Sequence, residues 1–282
     1  MRHHCDVPSM TTATTLADIG ANLTLPQAKV SCLMLTARRV NYALVAIECF
    51  RNQTWGDREL VVVYDAWDTP TVKMLLNVAS KDNRLKLVPN ERRGATVGYL
   101  RNMSTGAASG EYCMQWDDDD AYAPDRIMRQ MIEIVKSGKP GCVLDSWLCF
   151  VQSRNFIFES APFAYEGSIL IRTDILRKYP YPDCTRVLLN GIEVGEDAFV
   201  VWKLQKARHL HTFHQPELYY YRIHDANTCG KQHFENMYMK ARRRGCPVYD
   251  TSTETFRRVH RILQAVDHPD ASAQGEIVTC SE

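Results

Sequence analysis

Between residues 30 and 116 the sequence alternates between short apolar or β-branched runs and amphipathic runs of helical period, joined by loops of a few residues. Residues 30–35 are an apolar run of strand length, and over 40–51 Ala43, Leu44, Ile47 and Phe50 recur at helical spacing. Residues 59–64 (ELVVVY) carry the strongest strand signal in the chain. Pro70 then suits the first turn of a helix over 71–79. A short strand over 85–88, a loop and helix over 94–109 closed by Gly110, and a strand over 111–116 complete the series. Parallel strands need a crossover, which is usually a helix, so this alternation specifies an α/β fold with a mostly parallel sheet flanked by helices. Ligands bind such sheets beyond the carboxyl ends of the strands. Three polar features fall there: residues 36–39 (TARR), Asp65, and the run Asp117-Asp118-Asp119-Asp120.

The aspartate run sits between the strand over 111–116 and a helix that Pro124 opens, with Ile127, Met128, Met131, Ile132 and Val135 on one face and Gly138 at its end. An acidic run before a helix is equally served by a solvated, helix-capping turn. Packed at a strand end, however, four carboxylates repel one another unless a cation neutralises them, and an all-oxygen donor set suits a hard ion, Mg²⁺ or Mn²⁺.

Composition narrows the class. The chain has 282 residues, 45% hydrophobic and 24% charged, enough to bury a core in one large domain. Lys plus Arg (34) nearly balances Asp plus Glu (33), which argues against a nucleic-acid partner, and the cluster Arg242–Arg244 is only local. The ten cysteines are scattered without a CxxC pair, and Cys32, Cys49, Cys113, Cys142 and Cys149 lie in apolar runs, as small buried hydrophobes in a reducing compartment do. No apolar stretch approaches the roughly 20 residues of a membrane helix, and residues 1–29 have no secretion-signal core. GxGxxG and GxxxxGK[ST] are both absent.

The second half is less regular. Residues 142–151, 156–158 and 209–221 read as extended, 168–172 as a strand running into a helix near 173, and 198–207 as a helix behind Gly195-Glu196-Asp197. Tyr219–Tyr221 read as core, while Trp147, Phe156 and Phe163 are the candidate platforms for an acceptor sugar.

The motifs VSCLMLTARR, QTWGDRELVVVYDAWD, NERRG…LRNMSTGAASGEYCMQWDDDDAYAP, YEGSILIR, GEDAFVVWKL and YRIHDANT stand in the order found in family 2 nucleotide-sugar glycosyltransferases, which the chain resembles from about residue 30 to 231. The resemblance implies the GT-A fold, a Rossmann-like sheet. It implies a flexible tail over 1–28, a catalytic domain over 29–231 (nucleotide-sugar half 29–120, acceptor half 121–231), and a basic helical extension over 232–282. It places Thr36, Ala37 and Arg38 against the nucleoside, Asp65 on the base, and Arg101 near the donor. The DxD motif falls on Asp117-Asp118-Asp119, with Asp119 ligating the metal and Asp117 or Asp118 holding the ribose or a metal-bound water. His224 closes over the metal or diphosphate, and Asp197 is the catalytic base. Ala37 stands where members often carry an aromatic residue, and Tyr64 where they often carry Asp.

The implied activity is metal-dependent, inverting transfer of a sugar from a nucleoside diphosphate sugar, UDP-type, to a saccharide or lipid-linked saccharide hydroxyl, in polysaccharide or glycan synthesis. The QxxRW signature of processive synthases is absent. The setting it implies is cytoplasmic, with the basic C-terminal segment available for peripheral contact with the inner membrane face. Two rival readings remain at this point: an inactive relative that keeps the fold as a binding module, and a nucleotidyltransferase or sugar-nucleotide hydrolase on a similar sheet.

Overall fold

The computed structural model describes residues 24–264 apart from 190, 226, 228 and 229. Most of the expected N-terminal tail, the end of the expected C-terminal extension and part of the 224–228 loop therefore lie outside the described residues. The first half runs β1 (Val30–Thr36), α1 (Val40–Arg51), β2 (Arg58–Asp65), α2 (Thr69–Ala79), β3 (Leu85–Asn90), α3 (Val97–Ala107) and β4 (Tyr112–Gln115). The second half runs β5 (Ala121–Tyr122), α4 (Arg126–Ser137), β6 (Gly141–Leu144), β7 (Leu148–Val151), β8 (Phe156–Glu159), β9 (Leu170–Arg172), α5 (Thr173–Lys178), β10 (Arg186–Leu189), β11 (Ile192–Gly195), α6 (Glu196–Lys206), β12 (Leu210–Phe213), β13 (Tyr219–Ile223), α7 (Lys231–Arg243), β14 (Val248–Tyr249) and α8 (Glu254–Gln264).

Seven strands form the central sheet in the order β12-β6-β9-β4-β1-β2-β3. Only β9 runs against its neighbours, so the carboxyl ends of β1, β2, β4, β6 and β12 share one edge. The chain leaves β1 in one direction to β2 and β3, and later returns to its other side as β4, which opens a crevice between β1 and β4 at that edge. The strands are buried on both faces because alternate residues feed two cores. Cys32, Met34, Leu60 and Val62 meet α1 (Ala43, Ile47, Phe50) and α4 (Ile127, Met131) on one side. Leu33, Val61 and Cys113 meet α5 (Leu176) and α6 (Val200, Leu204) on the other.

The apolar run over 142–151, expected as one extended piece, is two strands in two sheets. β6 belongs to the central sheet, and after Asp145-Ser146-Trp147 the chain enters β7 of a five-stranded sheet ordered β14-β8-β7-β13-β5. Residues 209–221 divide in the same way into β12 and β13. In the first run both halves are buried, so hydrophobicity does not mark the switch there, whereas in the second only Phe213 of β12 is buried. The hairpin β10–β11, which pairs Leu189 with Ile192, was not anticipated either. Beyond residue 231 the chain packs on the same core, with Ala241, Phe256, Val259 and Leu263 buried and Val248 paired to Phe158. The five cysteines expected to be buried are so, as free thiols. No helix among the described residues is long and apolar enough to cross a membrane.

At the amino edge of the sheet one carboxylate is buried for structural reasons. Glu59 accepts hydrogen bonds from Ser31 Oγ (2.6 Å), the Ser109 N–H (2.7 Å) and Ser109 Oγ (2.8 Å), and pairs with Lys29 Nζ at 3.0 Å. Burial opposes its charge, but these donors outweigh it and hold the carboxyl at about 2. A folded value below the unfolded one stabilises fully above the unfolded value of about 4.3 and is lost as pH falls toward the folded one. We therefore expect Glu59→Gln to cost about 1–3 kcal/mol at pH 7 in urea denaturation. The gap to wild type should close between about pH 4.5 and 2; a gap independent of pH would contradict this account.

Candidate active site

The site is built where β4 ends. Trp116 is fully buried against Tyr122, and the chain then turns through the four aspartates from the central sheet into β5 of the second sheet. Asp120 anchors that turn: it accepts from Tyr219 Oη at 2.5 Å and from the Arg222 N–H at 2.9 Å, both on β13. Asp117 accepts from Gln115 Nε2 (2.8 Å) and Tyr219 Oη (3.2 Å). Beneath them Arg126, fully buried, stacks its guanidinium on Tyr122 (4.6 Å) and Tyr219 (4.9 Å) and donates to the Gln115 carbonyl. The aromatic faces shelter a cation directly below the acidic turn.

The loop after β1 forms one wall. Thr36 is buried at the strand end, whereas Ala37 and Arg38 are exposed. Arg38 has φ 57°, a left-handed conformation uncommon for a side chain of this size, and its N–H is held by Asp68 Oδ2 at 2.6 Å. That kink directs the next side chain inward: Arg39 Nη1 lies 2.6 Å from Asp119 Oδ2 and 3.3 Å from Asp118 Oδ1. On the far side His224 Nε2 stands 3.3 Å from Asp119 Oδ2, with its ring stacked on Tyr42 at 4.2 Å. Asp65 ends β2 and accepts from Asn90 Nδ2 at 2.8 Å, one strand further along the same edge.

The opposite wall comes from α3 and α6. Arg101 does not face solvent; it is buried and donates to Glu196 Oε1 (2.8 Å) and Asp197 Oδ2 (3.1 Å), with Nη1 3.7 Å from Asp117 Oδ1. It thus ties the start of the aspartate run to the start of α6. Asp197 also accepts the Ala198 N–H through Oδ1 at 2.8 Å, and its side chain is 24% exposed. Glu166, in the short 3-10 turn Glu166–Ser168, adds a buried carboxyl whose Oε2 has no hydrogen-bond partner.

Carboxyl groups outnumber the cations here, and their acidities respond. Burial, reinforced by the charge of Asp119, pushes Asp118 up to about 7. Burial and then the charges of Asp119 and Asp117 raise Asp120 far above the carboxylate range. Burial opposes the charge on Asp119 too, but His224 and Arg39 outweigh it and hold that carboxyl below its usual value. Burial and the charge of Asp197 push Glu166 up to about 8.

The donor chemistry fits a hard divalent ion. Asp118 is 5% exposed and its Oδ2 has no hydrogen-bond partner, which leaves a buried carboxylate oxygen to be satisfied. Among the described residues no three His, Cys, Asp or Glu side chains converge as a complete cage. Mg²⁺-type ions need no such cage, since one or two carboxylates plus substrate phosphates and water complete their shell.

Of the residues singled out in the sequence, Asp117, Asp118, Asp119, Arg101, Asp197 and His224 come together in one continuous cluster. Ala37, Arg38 and Asp65 line the same edge without bonding to the aspartates' side chains among the described contacts, whereas the Thr36 hydroxyl lies against Asp118 and favours its charged form. Arg39, Arg126, Glu166 and Tyr219 were not anticipated as site residues. Arg39 carried one signal, its place in the polar TARR loop, and Glu166 another, its place in the YEGSILIR motif, whereas Tyr219 lies in a run that reads as core. Of the aromatic candidates, Trp147 stacks on Tyr165 and Phe156 packs on Tyr238 inside the fold, so only Phe163 is exposed.

Residues 31–191 match the family described as glycosyl transferase family 2. The putative glycosyltransferase EpsH of Bacillus subtilis is 32% identical over 96 residues, 34% of this chain and 27% of its own length. An uncharacterized glycosyltransferase of Rickettsia felis is 27% identical over 148 residues, 52% of this chain and 21% of its own. The chain thus spans only about a quarter or less of these curated relatives. The fold is shared with S. aureus TarS 1-349 solved with UDP-GlcNAc (TM-score 0.56, 16% identity, 88% of this chain and 74% of that one). It is also shared with the mannosyltransferase PcManGT of Pyrobaculum calidifontis solved with GDP-Man and Mn²⁺ (TM-score 0.55, 14% identity, 87% and 72%).

Proposed function

The chain belongs to glycosyl transferase family 2, and on that premise we propose that it moves a sugar from a nucleoside diphosphate sugar, UDP-type, to a hydroxyl acceptor with inversion and with the help of Mn²⁺ or Mg²⁺. The acceptor class is a saccharide or lipid-linked saccharide, in polysaccharide or glycan synthesis. One observation carries the reading: Arg101 links Asp117 of the DxD run to Asp197, so an acidic cluster suited to a metal-bound diphosphate and a partly exposed carboxylate share one crevice. The donors in the TarS and PcManGT structures support the substrate class, and the Mn²⁺ in the latter supports the ion.

In this reading Asp197 is the base. Arg101 and the Ala198 N–H fix both of its oxygens, which orients the carboxylate and leaves its exposed side to take the acceptor proton. A single base acting in one displacement inverts the anomeric centre, and no second carboxyl acid is required to protonate a diphosphate leaving group. Asp119, with Asp117 or Asp118, and His224 are the groups that would hold the ion, which when bound offsets charge developing on the departing diphosphate. Arg101 Nη1, buried without a hydrogen-bond partner, supports a second contact to that charge. Thr36, Ala37 and Arg38 border the nucleoside side, and Asp65 is placed to accept from the base.

The donor assignment is tested by calorimetric titration with UDP, GDP and dTDP, each in Mn²⁺ and in EDTA. We expect one nucleotide to bind, at least about tenfold more weakly in EDTA and in Asp119→Ala. A folded wild-type protein that binds none of the three would sink the reading.

The base has its own test. A Cβ at Gly195 would stand 2.5 Å from Asp197 Oδ1, a side-chain tip able to move, and the φ of −64° at Gly195 accepts alanine. Gly195→Ala should therefore keep the thermal midpoint within about 3 °C while lowering kcat by about tenfold or more through a misplaced carboxylate. Unchanged kcat would argue against Asp197 as the base.

A further inference from the structure

Arg39 stands where the ion would. Its Nη1 contacts both Asp119 Oδ2 (2.6 Å) and Asp118 Oδ1 (3.3 Å), with its side chain 23% exposed. A guanidinium neutralises carboxylates but, being always charged, repels an incoming cation and occupies the oxygens that cation needs. The buried Asp118 Oδ2 has no hydrogen-bond partner, so Arg39 leaves one oxygen of the pair unsatisfied. Arg39 is also the residue that opens α1, and among the described residues no side chain caps that end of the helix. Its base is fixed by the Arg38 kink and the Asp68 clamp, so the side chain pivots from a rigid point at the mouth of the crevice.

The geometry points to Arg39 as a donor-responsive diphosphate ligand. Without nucleotide its guanidinium covers the oxygens of Asp118 and Asp119; when a nucleoside diphosphate arrives it passes to the diphosphate and uncovers those oxygens for the divalent ion. A planar fork of N–H donors matches phosphate oxygens at least as well as it matches carboxylates, and the diphosphate brings more negative charge. The α1 amino end beside it favours the same anion. Nucleotide and metal then assist each other by a mutual factor, because each is favoured by the Arg39 position that the other produces. This inference rests on the donor-site reading above and adds an order to it: the metal site is unmasked by the donor.

The test uses the full chain as wild type, Arg39→Gln and Arg39→Lys. Mn²⁺ is titrated in the absence of nucleotide, followed by electron paramagnetic resonance of the free ion, and UDP is titrated in EDTA. The inference predicts opposite shifts in Arg39→Gln: Mn²⁺ alone binds about tenfold more tightly, and UDP without metal binds about tenfold more weakly. Arg39→Lys, which keeps the charge, should recover much of the UDP affinity. An arginine that merely holds the loop would weaken both ligands when removed, and that result, or an unchanged Mn²⁺ affinity, overturns the inference. The Mn²⁺ arm involves no nucleotide. If no nucleoside diphosphate binds wild type, the donor reading fails, while the Mn²⁺ shift still reports whether Arg39 masks the carboxylates.

Discussion

Four carboxylates in succession at the end of a buried strand must be kept from repelling one another inside a low-dielectric wall. Two like charges 4 Å apart cost about 4 kcal/mol at an effective dielectric of 20, so the run is tolerable only if its members are treated differently. Asp120 is turned inward and held by Tyr219 and the β13 backbone. Asp117 faces Arg101, and Asp118 and Asp119 share Arg39, with His224 beside Asp119. Burial raises the first two and Asp118, while Asp119 alone is held below its usual value. The pair Asp118–Asp119 is thus the part of the run that keeps a buried carboxylate oxygen, Asp118 Oδ2, without a hydrogen-bond partner, and a divalent ion bound there would satisfy it.

The same constraint explains how two sheets come to frame one crevice. Asp120 can be satisfied only if β13 lies alongside the acidic turn, and β13 pairs with both β5 and β7, which fixes the second sheet against the first. On the other wall, Arg101 is buried because Glu196 and Asp197 at the start of α6 neutralise it, and this brings the proposed base to the metal-side carboxylates. A charge balance within a few residues therefore positions elements nearly 100 residues apart in the chain.

The first half of the fold was legible because each parallel strand is followed by a helix with a clear apolar face, and residues such as Pro70 and Gly138 punctuate the ends. Gly138, at φ 64°, ends α4 as its position implied. The second half was legible only in part. The switches at Asp145-Ser146-Trp147 and at His214-Gln215-Pro216 move the chain between sheets while its flanks stay apolar, and periodicity carries no trace of which sheet a buried strand joins. The sequence carried a usable mark for the hairpin, an Asn-Gly pair between two β-branched or apolar stretches, which is a hairpin signature. Of the candidate site residues, Asp117, Asp118, Asp119, Arg101, Asp197 and His224 converged in space, while Ala37, Arg38 and Asp65 only line the same edge. Motif order reached the segments of Arg39 and Glu166 but not their relation to the aspartates, nor that of Arg126, because these relations are made by a backbone kink, a short 3-10 turn and a cation–aromatic stack.

The position of the ion itself can be measured by anomalous diffraction at the manganese edge from crystals grown with UDP and Mn²⁺. We expect a single strong peak in direct coordination to an Asp119 carboxylate oxygen, with the Arg39 guanidinium displaced from Asp118 and Asp119 onto the diphosphate. A manganese peak away from Asp119, or bound UDP with Arg39 still seated on both aspartates, would contradict it.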